Sequence, residues 1–220
     1  MKILGGSVRG RLLASPSGQT TRPMLARVKN SLFNIVQHHL AGSVVLDLFA
    51  GSGALGLEAL SRGADFCLFV ENHRPTYQTL KANITRLGFQ SQAETIFADA
   101  FKIMPLLAER PYRFTPLEVP RTFSGAVPPR RDLLLTGFNL VFIAPPYRLF
   151  DDQLKTSQLF ELLDKVSAIG SLCSLQGGII TTERLIIVEH SLKQLLTIPT
   201  TVFTLKQRRE YGQTVLTFLS

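Results

Sequence analysis

A glycine-rich segment, VLDLFAGSGALG at residues 45–56, has the residue types and spacing of a loop that holds a nucleotide-like cofactor. Gly51, Gly53 and Gly56 satisfy the GxGxxG pattern, and Glu71 follows Gly51 by 20 residues. A glycine turn between a strand and a helix is typical of dinucleotide-binding proteins, in which the pyrophosphate lies at the helix N-terminus. The pattern alone therefore allows NAD as the cofactor.

The carboxylate of Asp47, directly before the loop, distinguishes this segment from a typical dinucleotide site. An acid at this position would repel a pyrophosphate. S-adenosylmethionine has no phosphate and carries a sulfonium and an ammonium, so the same acid would attract it. The glycines would let the backbone approach such a ligand closely. The charge pattern favours S-adenosylmethionine over NAD.

Two further acids follow apolar segments that are predicted strands. Glu71 ends FCLFVE and could accept hydrogen bonds from ribose hydroxyls, and Asp99 follows AETIFA and could accept one from an adenine amine. Each acid could instead cap the following helix. Three acids at successive strand ends beside a glycine loop favour one common site. The predicted cofactor-binding residues are Asp47, Phe49, Gly51, Gly53, Glu71, Asn72, Asp99 and Ala100.

The elements that must position these residues alternate between apolar strands and amphipathic helices. This alternation predicts a Rossmann-like α/β fold, with a mostly parallel twisted sheet and helices on both faces. TVFTLKQRR and QTVLTFL predict an antiparallel hairpin at the C-terminus. The predicted strands are 44–49, 66–71, 93–98, 138–144 and 184–189, and the predicted helices lie at about 54–62, 75–87, 101–108 and 152–168. Acids that follow parallel strands would meet at one edge of the sheet.

Residues 109–137 interrupt the alternation and are rich in proline and arginine. Five of each residue type occur there, which predicts a long insertion loop. The arginines could form a lid that binds RNA, or the segment could be a solvated loop; both interpretations stay open.

The length and composition of the chain indicate one main domain at residues 42–220, preceded by an N-terminal extension at residues 1–41. Cys67 and Cys173 lack the spacing of a metal site, so we expect no metal and no disulfide framework. No apolar run reaches the roughly 20 residues that span a bilayer. We therefore expect a soluble cytoplasmic protein without a membrane partner.

The N-terminal extension is basic. The first 46 residues contain no Asp or Glu and six basic residues, which are Lys2, Arg9, Arg11, Arg22, Arg27 and Lys29. The sequence predicts a glycine-interrupted hairpin over 2–13 and an amphipathic helix from Pro23 to about Leu40. Such a segment attracts a polyanion, although an incidental basic surface would have the same composition.

Four segments together resemble the RsmD family of bacterial 16S ribosomal RNA guanine-N2 methyltransferases: ILGGSVRGRLL, TRPMLARVKNSLFNIV, DLFAGSGALGLEALSRGA and REYGQTVLTFL. The resemblance covers nearly the whole chain except residues 109–137. It implies methyl transfer from S-adenosylmethionine to the N2 amine of a guanine in the small ribosomal subunit or its assembly intermediate. It also implies RNA contacts for Arg9, Arg11, Arg22, Arg27 and Lys29. We expect a monomer with no DNA partner.

The segment FIAPPYR contains the predicted catalytic residues Ala144, Pro145, Pro146 and Tyr147. Enzymes that methylate exocyclic amines of bases carry Asp or Asn before Pro-Pro-Tyr or Pro-Pro-Phe. The acceptor side chain and the next carbonyl hold the two amine hydrogens, and the aromatic ring stacks on the base. Ala144 cannot accept a hydrogen bond, so the rate is expected to fall on the order of 100- to 1000-fold, by analogy with a lost oxyanion-hole donor.

The substitution at Ala144 leaves several functions open. The chain could be an impaired methyltransferase, a methyltransferase with rerouted chemistry, or a non-catalytic RNA-binding assembly factor on the same scaffold. An NAD-dependent oxidoreductase is a further alternative, because the glycine pattern alone allows it.

Overall fold

The computed structural model describes residues 1–16, 24–103, 107, 112–114, 133–135, 138–147, 149, 153–168, 184–193 and 203–220. Its strands are β1 (Val44–Asp47), β2 (Phe66–Glu71), β3 (Ala93–Phe97), β4 (Tyr112–Phe114), β5 (Leu133–Leu135), β6 (Leu140–Ile143), β7 (Leu185–Ser191), β8 (Leu205–Tyr211) and β9 (Thr214–Leu219). Its α-helices are α1 (Ala26–Ile35), α2 (Gly56–Ser61), α3 (Arg74–Leu87) and α4 (Gln153–Ala168).

Seven strands form one sheet in the order β3-β2-β1-β6-β7-β9-β8. Strands β3, β2, β1, β6 and β7 are parallel, whereas β9 runs antiparallel to β7 and to β8. This confirms the predicted Rossmann-like fold with a C-terminal hairpin. The chain winds outward from β1 in one direction and from β6 in the other, so a crevice forms between the carboxyl ends of these two strands.

Alternating side chains of the sheet divide the hydrophobic core into two layers. Leu140 and Phe142 of β6 pack in the layer that also contains apolar residues of α1, α2 and α3. Val141 and Ile143 point to the other layer, which contains the apolar side of α4. Because successive residues of a strand face opposite sides, this parity decides which side chains can meet at the sheet edge.

The N-terminal extension packs on the first of these layers. A single antiparallel bridge joins Lys2 to Leu12, and the Ile3 N–H donates to the carbonyl of Arg11 at 2.9 Å, as a hairpin requires. Ile3 and Phe33 are fully buried in the core that the sheet contributes to. The predicted helix to Leu40 is shorter in the structure, since α1 ends at Ile35 and a 3₁₀ turn follows at Gln37–His39.

The insertion contains regular structure where a loop was predicted. Strands β4 and β5 pair antiparallel, with Tyr112 opposite Leu135 and Phe114 opposite Leu133. The loop prediction is wrong for these residues, because both segments lack proline and one of them has two aromatic residues, which favour strands. The remainder of 109–137, and residues 104–106 and 108 of the predicted helix at 101–108, lie outside the described residues. Across the described helices, none combines the length and apolarity needed to cross a membrane.

Candidate cofactor and substrate site

The glycine loop needs its glycines for two different reasons. Gly51 and Gly53 have φ values of 56° and 85°, in the left-handed region that favours glycine. A Cβ on Gly53 would lie 2.6 Å from Leu80 Cδ1 on α3, and one on Gly56 would lie 2.2 Å from Cε1 of Phe69 on β2. The loop is therefore both sharply turned and pressed against its neighbours, so its shape is strongly constrained.

Asp47 ends β1 beneath this loop, with only 1% of its surface exposed. The Gly56 N–H donates to Asp47 Oδ2 at 3.0 Å, while Oδ1 is buried and accepts no hydrogen bond from the part of the chain that the structure describes. The pKa of Asp47 is raised to about 7, mainly because the carboxyl is buried; the Gly56 hydrogen bond opposes this rise, and the charge of Glu71 adds to it. Oδ1 is therefore placed to receive a cationic or hydrogen-bonding group of a ligand.

Glu71 ends β2, the next strand of the sheet. Its Oε2 accepts from the Gly51 N–H at 2.9 Å, and its Oε1 accepts from the His73 N–H at 2.7 Å. These bonds orient the carboxylate and join it to the glycine loop. Each carboxylate oxygen can accept more than one hydrogen bond, so ribose hydroxyls can be bound in addition. The neighbouring Asn72 is exposed.

Asp99 follows β3, at the same edge of the sheet. Its Oδ1 accepts from the Phe101 N–H at 3.0 Å, and the rings of Phe49 and Phe101 meet edge to face with their centroids 5.7 Å apart. Ala100 is buried. A cavity of about 100 Å³ separates Asp99 and Phe101 from α4. The structure thus places Asp47, Glu71 and Asp99 at the ends of three adjacent strands, as predicted, and their role in binding stays a prediction.

The Pro-Pro-Tyr segment lies across the crevice from the glycine loop. Strand β6 pairs with β1 so that Phe142 is opposite Asp47, and Ala144 follows two residues later. Ala144 is half-buried, Pro145 buried and Pro146 exposed. Tyr147 is also half-buried, so its ring is not sealed in the interior.

Glu189 on β7 is a residue of this region that the sequence did not single out. Tyr147 Oη donates to Glu189 Oε1 at 3.1 Å, and the same hydroxyl lies 2.7 Å from Thr214 Oγ1. Burial raises the pKa of Glu189, and the bond from Tyr147 partly opposes that rise. An acid at the end of the apolar run RLIIVE was the available signal, since Glu71 has the same setting.

Of the predicted RNA-binding residues, three are exposed, one lies outside the described residues and one is buried. Arg9, Arg11 and Arg27 are exposed. Arg9 and Arg27 line, with Lys2 and Asn30, a surface cavity of about 380 Å³ between the N-terminal hairpin and α1. Arg22 lies outside the described residues.

The prediction that Lys29 contacts RNA is wrong, because this side chain is buried. Its Nζ lies 2.8 Å from Glu58 Oε2 and donates to the carbonyl of Lys2 at 2.9 Å. Burial lowers the pKa of Lys29, and the ion pair with Glu58 opposes that change. Glu58 also accepts from Arg62 Nε and from the N–H groups of Leu4 and Gly5, each at 2.8 Å. Lys29 therefore joins the extension to α2.

No group of three or more His, Cys, Asp or Glu residues within the described ranges is arranged to hold a metal ion. His190 is buried, and its Nε2 lies 2.9 Å from Thr217 Oγ1 in the neighbouring strand. This contact agrees with the structural role that a lone histidine suggests.

The mostly parallel sheet in this strand order, with an acid-flanked glycine loop at its switch point, defines a class I methyltransferase. A family model described as "Conserved hypothetical protein 95" matches residues 1–116. "Putative rRNA methyltransferase YlbH" of Bacillus subtilis is 34% identical over 165 residues, which cover 75% of this chain and 74% of that protein. The chain therefore belongs to the RsmD family of methyltransferases.

Two further similarities agree with this assignment. "Ribosomal RNA small subunit methyltransferase D" of Escherichia coli K12 is 34% identical over 148 residues, covering 67% of this chain and 61% of that protein. The solved structure of "Putative methyltransferase yhhF" from Escherichia coli has 29% sequence identity and a TM-score of 0.66, and the alignment covers 100% of this chain and 96% of that one.

Proposed function

We propose that this chain transfers a methyl group from S-adenosylmethionine to the N2 amine of a guanine in 16S ribosomal RNA, on the small subunit or an assembly intermediate. Family membership and the names of the relatives support methylation of ribosomal RNA. The observation that carries the proposal is the pairing of β1 with β6, which brings Asp47 and the glycine loop next to the strand that leads into Pro145, Pro146 and Tyr147.

The acids at the sheet edge fit the cofactor by charge. Asp47 Oδ1 is the buried acceptor that would attract the ammonium, and the oriented carboxylate of Glu71 would accept from ribose hydroxyls. Asp99 and the Ala100 N–H would bind the adenine edge. The cofactor supplies an electrophilic methyl group on a sulfonium. The charge of Asp47 next to the glycine loop disfavours the pyrophosphate of NAD.

The Pro-Pro-Tyr segment would present the guanine. Glu189 and Thr214 fix the hydroxyl end of Tyr147, whose ring would stack on an extruded base. Proline restricts the direction of the Pro145 carbonyl, which would accept one N2–H hydrogen bond. Holding the amine in this way aims the nitrogen lone pair at the methyl carbon.

The exposed arginines of the extension would bind the RNA backbone. The cavity between the hairpin and α1 presents Lys2, Arg9 and Arg27, and no acid lines it among the described residues. Three cations around one concave surface suit a phosphate, whose contacts release counterions. The cavity is on the α1 side of the sheet, where Ala144 also packs.

Two titrations test the cofactor assignment. We expect calorimetry to detect binding of S-adenosylhomocysteine and no binding of NAD. Binding of NAD without binding of S-adenosylhomocysteine would support the oxidoreductase alternative and refute the proposal.

Ala144 favours one second candidate, a non-catalytic RNA-binding assembly factor. One assay distinguishes the two functions. The chain is incubated with radiolabelled S-adenosylmethionine and with small subunits that lack the methyl mark. We expect radiolabel in the 16S RNA if the chain is a methyltransferase. Binding of both ligands without transfer of label would instead support the assembly factor.

A further inference from the structure

Ala144, directly after β6, is level with Glu189, the fifth residue of the neighbouring parallel strand β7. The register of β6 and β7 pairs Ile143 with Val188, and Ala144 and Glu189 are the next residues of the two segments. Adjacent strands are about 4.8 Å apart, and side chains in register point to the same face. A carboxylate therefore stands beside the position where the sequence lacks one.

The parity of the two strands supports a shared face. Phe142 and Ile187 belong to the core layer below α1, and Ala144 packs against that layer. Glu189 is two residues after Ile187, so its side chain leaves the sheet on the same side. Asp47 has the same parity as Val45, which also belongs to this layer. All three positions thus open on one side of the crevice.

The carboxylate of Glu189 has capacity left for a ligand. Oε1 accepts from Tyr147, and no other hydrogen bond to Glu189 comes from the described ranges. The carboxylate is mostly withdrawn from solvent yet not sealed, which strengthens any hydrogen bond that a ligand forms with it. Its link to Tyr147 fixes it at the place where the base is proposed to stack.

We propose that Glu189 is a catalytic residue that accepts a hydrogen bond from the N2 amine of the target guanine, in place of the side chain that Ala144 lacks. This inference rests on the proposed function. One N2–H would bond to Glu189 and the other to the Pro145 carbonyl, which restores both halves of the amine clamp.

The transfer balances with these groups alone. The N2 lone pair forms the bond to the methyl carbon, and the carbon–sulfur bond breaks with its electron pair remaining on sulfur. The nitrogen then carries one positive charge and releases one proton. Glu189 accepts that proton and passes it to solvent, so no metal or redox partner is required.

A purely orienting role for Glu189, acting through Tyr147, makes a different prediction. Glu189→Gln preserves an acceptor for the Tyr147 hydroxyl but offers an N–H₂ group towards the amine. Tyr147→Phe removes the hydroxyl and keeps the ring. If Glu189 only positions Tyr147, the Glu189→Gln substitution has no further effect in a Tyr147→Phe background.

The experiment measures single-turnover methyl transfer to small subunits for the wild type, Glu189→Gln, Tyr147→Phe and their double variant. Glu210→Gln, on the exposed hairpin strand β8, is the matched control. We expect Glu189→Gln to lower the rate on the order of 100-fold in either background, with unchanged affinity for S-adenosylhomocysteine and for subunits. When Ala144→Asn is added to the Glu189→Gln variant, we expect the rate of methyl transfer to rise at least about tenfold.

The outcomes separate the two proposals. A wild-type chain that binds subunits but transfers no methyl group overturns the proposed function and this inference with it. An active wild type whose rate is unchanged by Glu189→Gln, or changed only when Tyr147 keeps its hydroxyl, overturns the inference alone. Variants that lose affinity for S-adenosylhomocysteine would assign Glu189 to folding instead of chemistry and would also overturn it.

Discussion

Lys29 Nζ lies 2.8 Å from Glu58 Oε2, and both side chains are almost completely buried. Glu58 belongs to α2, which begins where the glycine loop ends, and Lys29 belongs to α1. The ion pair therefore fixes the basic extension to the helix that follows the cofactor loop. The proposed RNA-binding extension and the glycine loop are therefore linked through this buried contact.

Replacing Lys29 with Met is expected to destabilise the fold by about 3–5 kcal/mol, because breaking a buried pair leaves Glu58 partly uncompensated. Lys165→Met is the matched control, since Lys165 and Glu161 form an exposed pair on α4. That change is expected to alter the stability by about 1 kcal/mol or less. Urea unfolding measures both variants. Equal losses of stability would contradict the account of a buried, structurally required pair.

The affinity for S-adenosylhomocysteine is expected to depend on pH through Asp47. The pKa of this carboxyl is about 7, so it is protonated below that pH and cannot attract the ligand ammonium fully. The affinity should therefore increase as the pH rises towards 7, by up to about tenfold per pH unit, and should level off above pH 7. Calorimetry between pH 5.5 and about 8.5 measures this. Asp47→Asn should bind weakly with no such slope, and a wild type that binds more weakly as pH rises would refute the assignment.

Gly53→Ala is expected to damage the cofactor loop. The residue has φ of 85°, and its new Cβ would meet Leu80 Cδ1 at 2.6 Å. Overpacking and backbone strain together should lower the free energy of unfolding by about 1–3 kcal/mol and weaken cofactor binding. Gly88 is the control, because it has φ of 82° with open space around a Cβ. Gly88→Ala should reduce stability without changing the affinity for S-adenosylhomocysteine.

Reversing the charge of an arginine that lines the cavity between the N-terminal hairpin and α1 is expected to weaken subunit binding. Arg9→Glu and Arg27→Glu should each lower the affinity and reduce the slope of log K against log salt by about 0.7–0.9 for every phosphate that the variant no longer neutralises. Lys165→Glu provides the control, since α4 lies on the opposite layer of the sheet. Salt titrations of subunit binding measure these slopes. Slopes equal to that of the control would exclude the cavity from the RNA interface.

The sheet and the positions of its acids were predictable because strands and helices alternate with clear apolar periods. The predicted strand 66–71 agrees with β2 residue for residue. The burial of Lys29 was not predictable, since the helical pattern does not reveal that Glu58 on another helix faces it. Glu189 was missed for a related reason: its neighbour Ala144 is 45 residues earlier, and only the strand register brings the two together.

The most direct test of the central claim identifies the methylated nucleoside. Small subunits lacking the mark are incubated with the chain and S-adenosylmethionine, the 16S RNA is digested, and the nucleosides are resolved by mass spectrometry. We expect N2-methylguanosine in reactions with the wild type and none without it. Methylation of a different nucleoside, or no methylation by a chain that binds both S-adenosylhomocysteine and subunits, would contradict it.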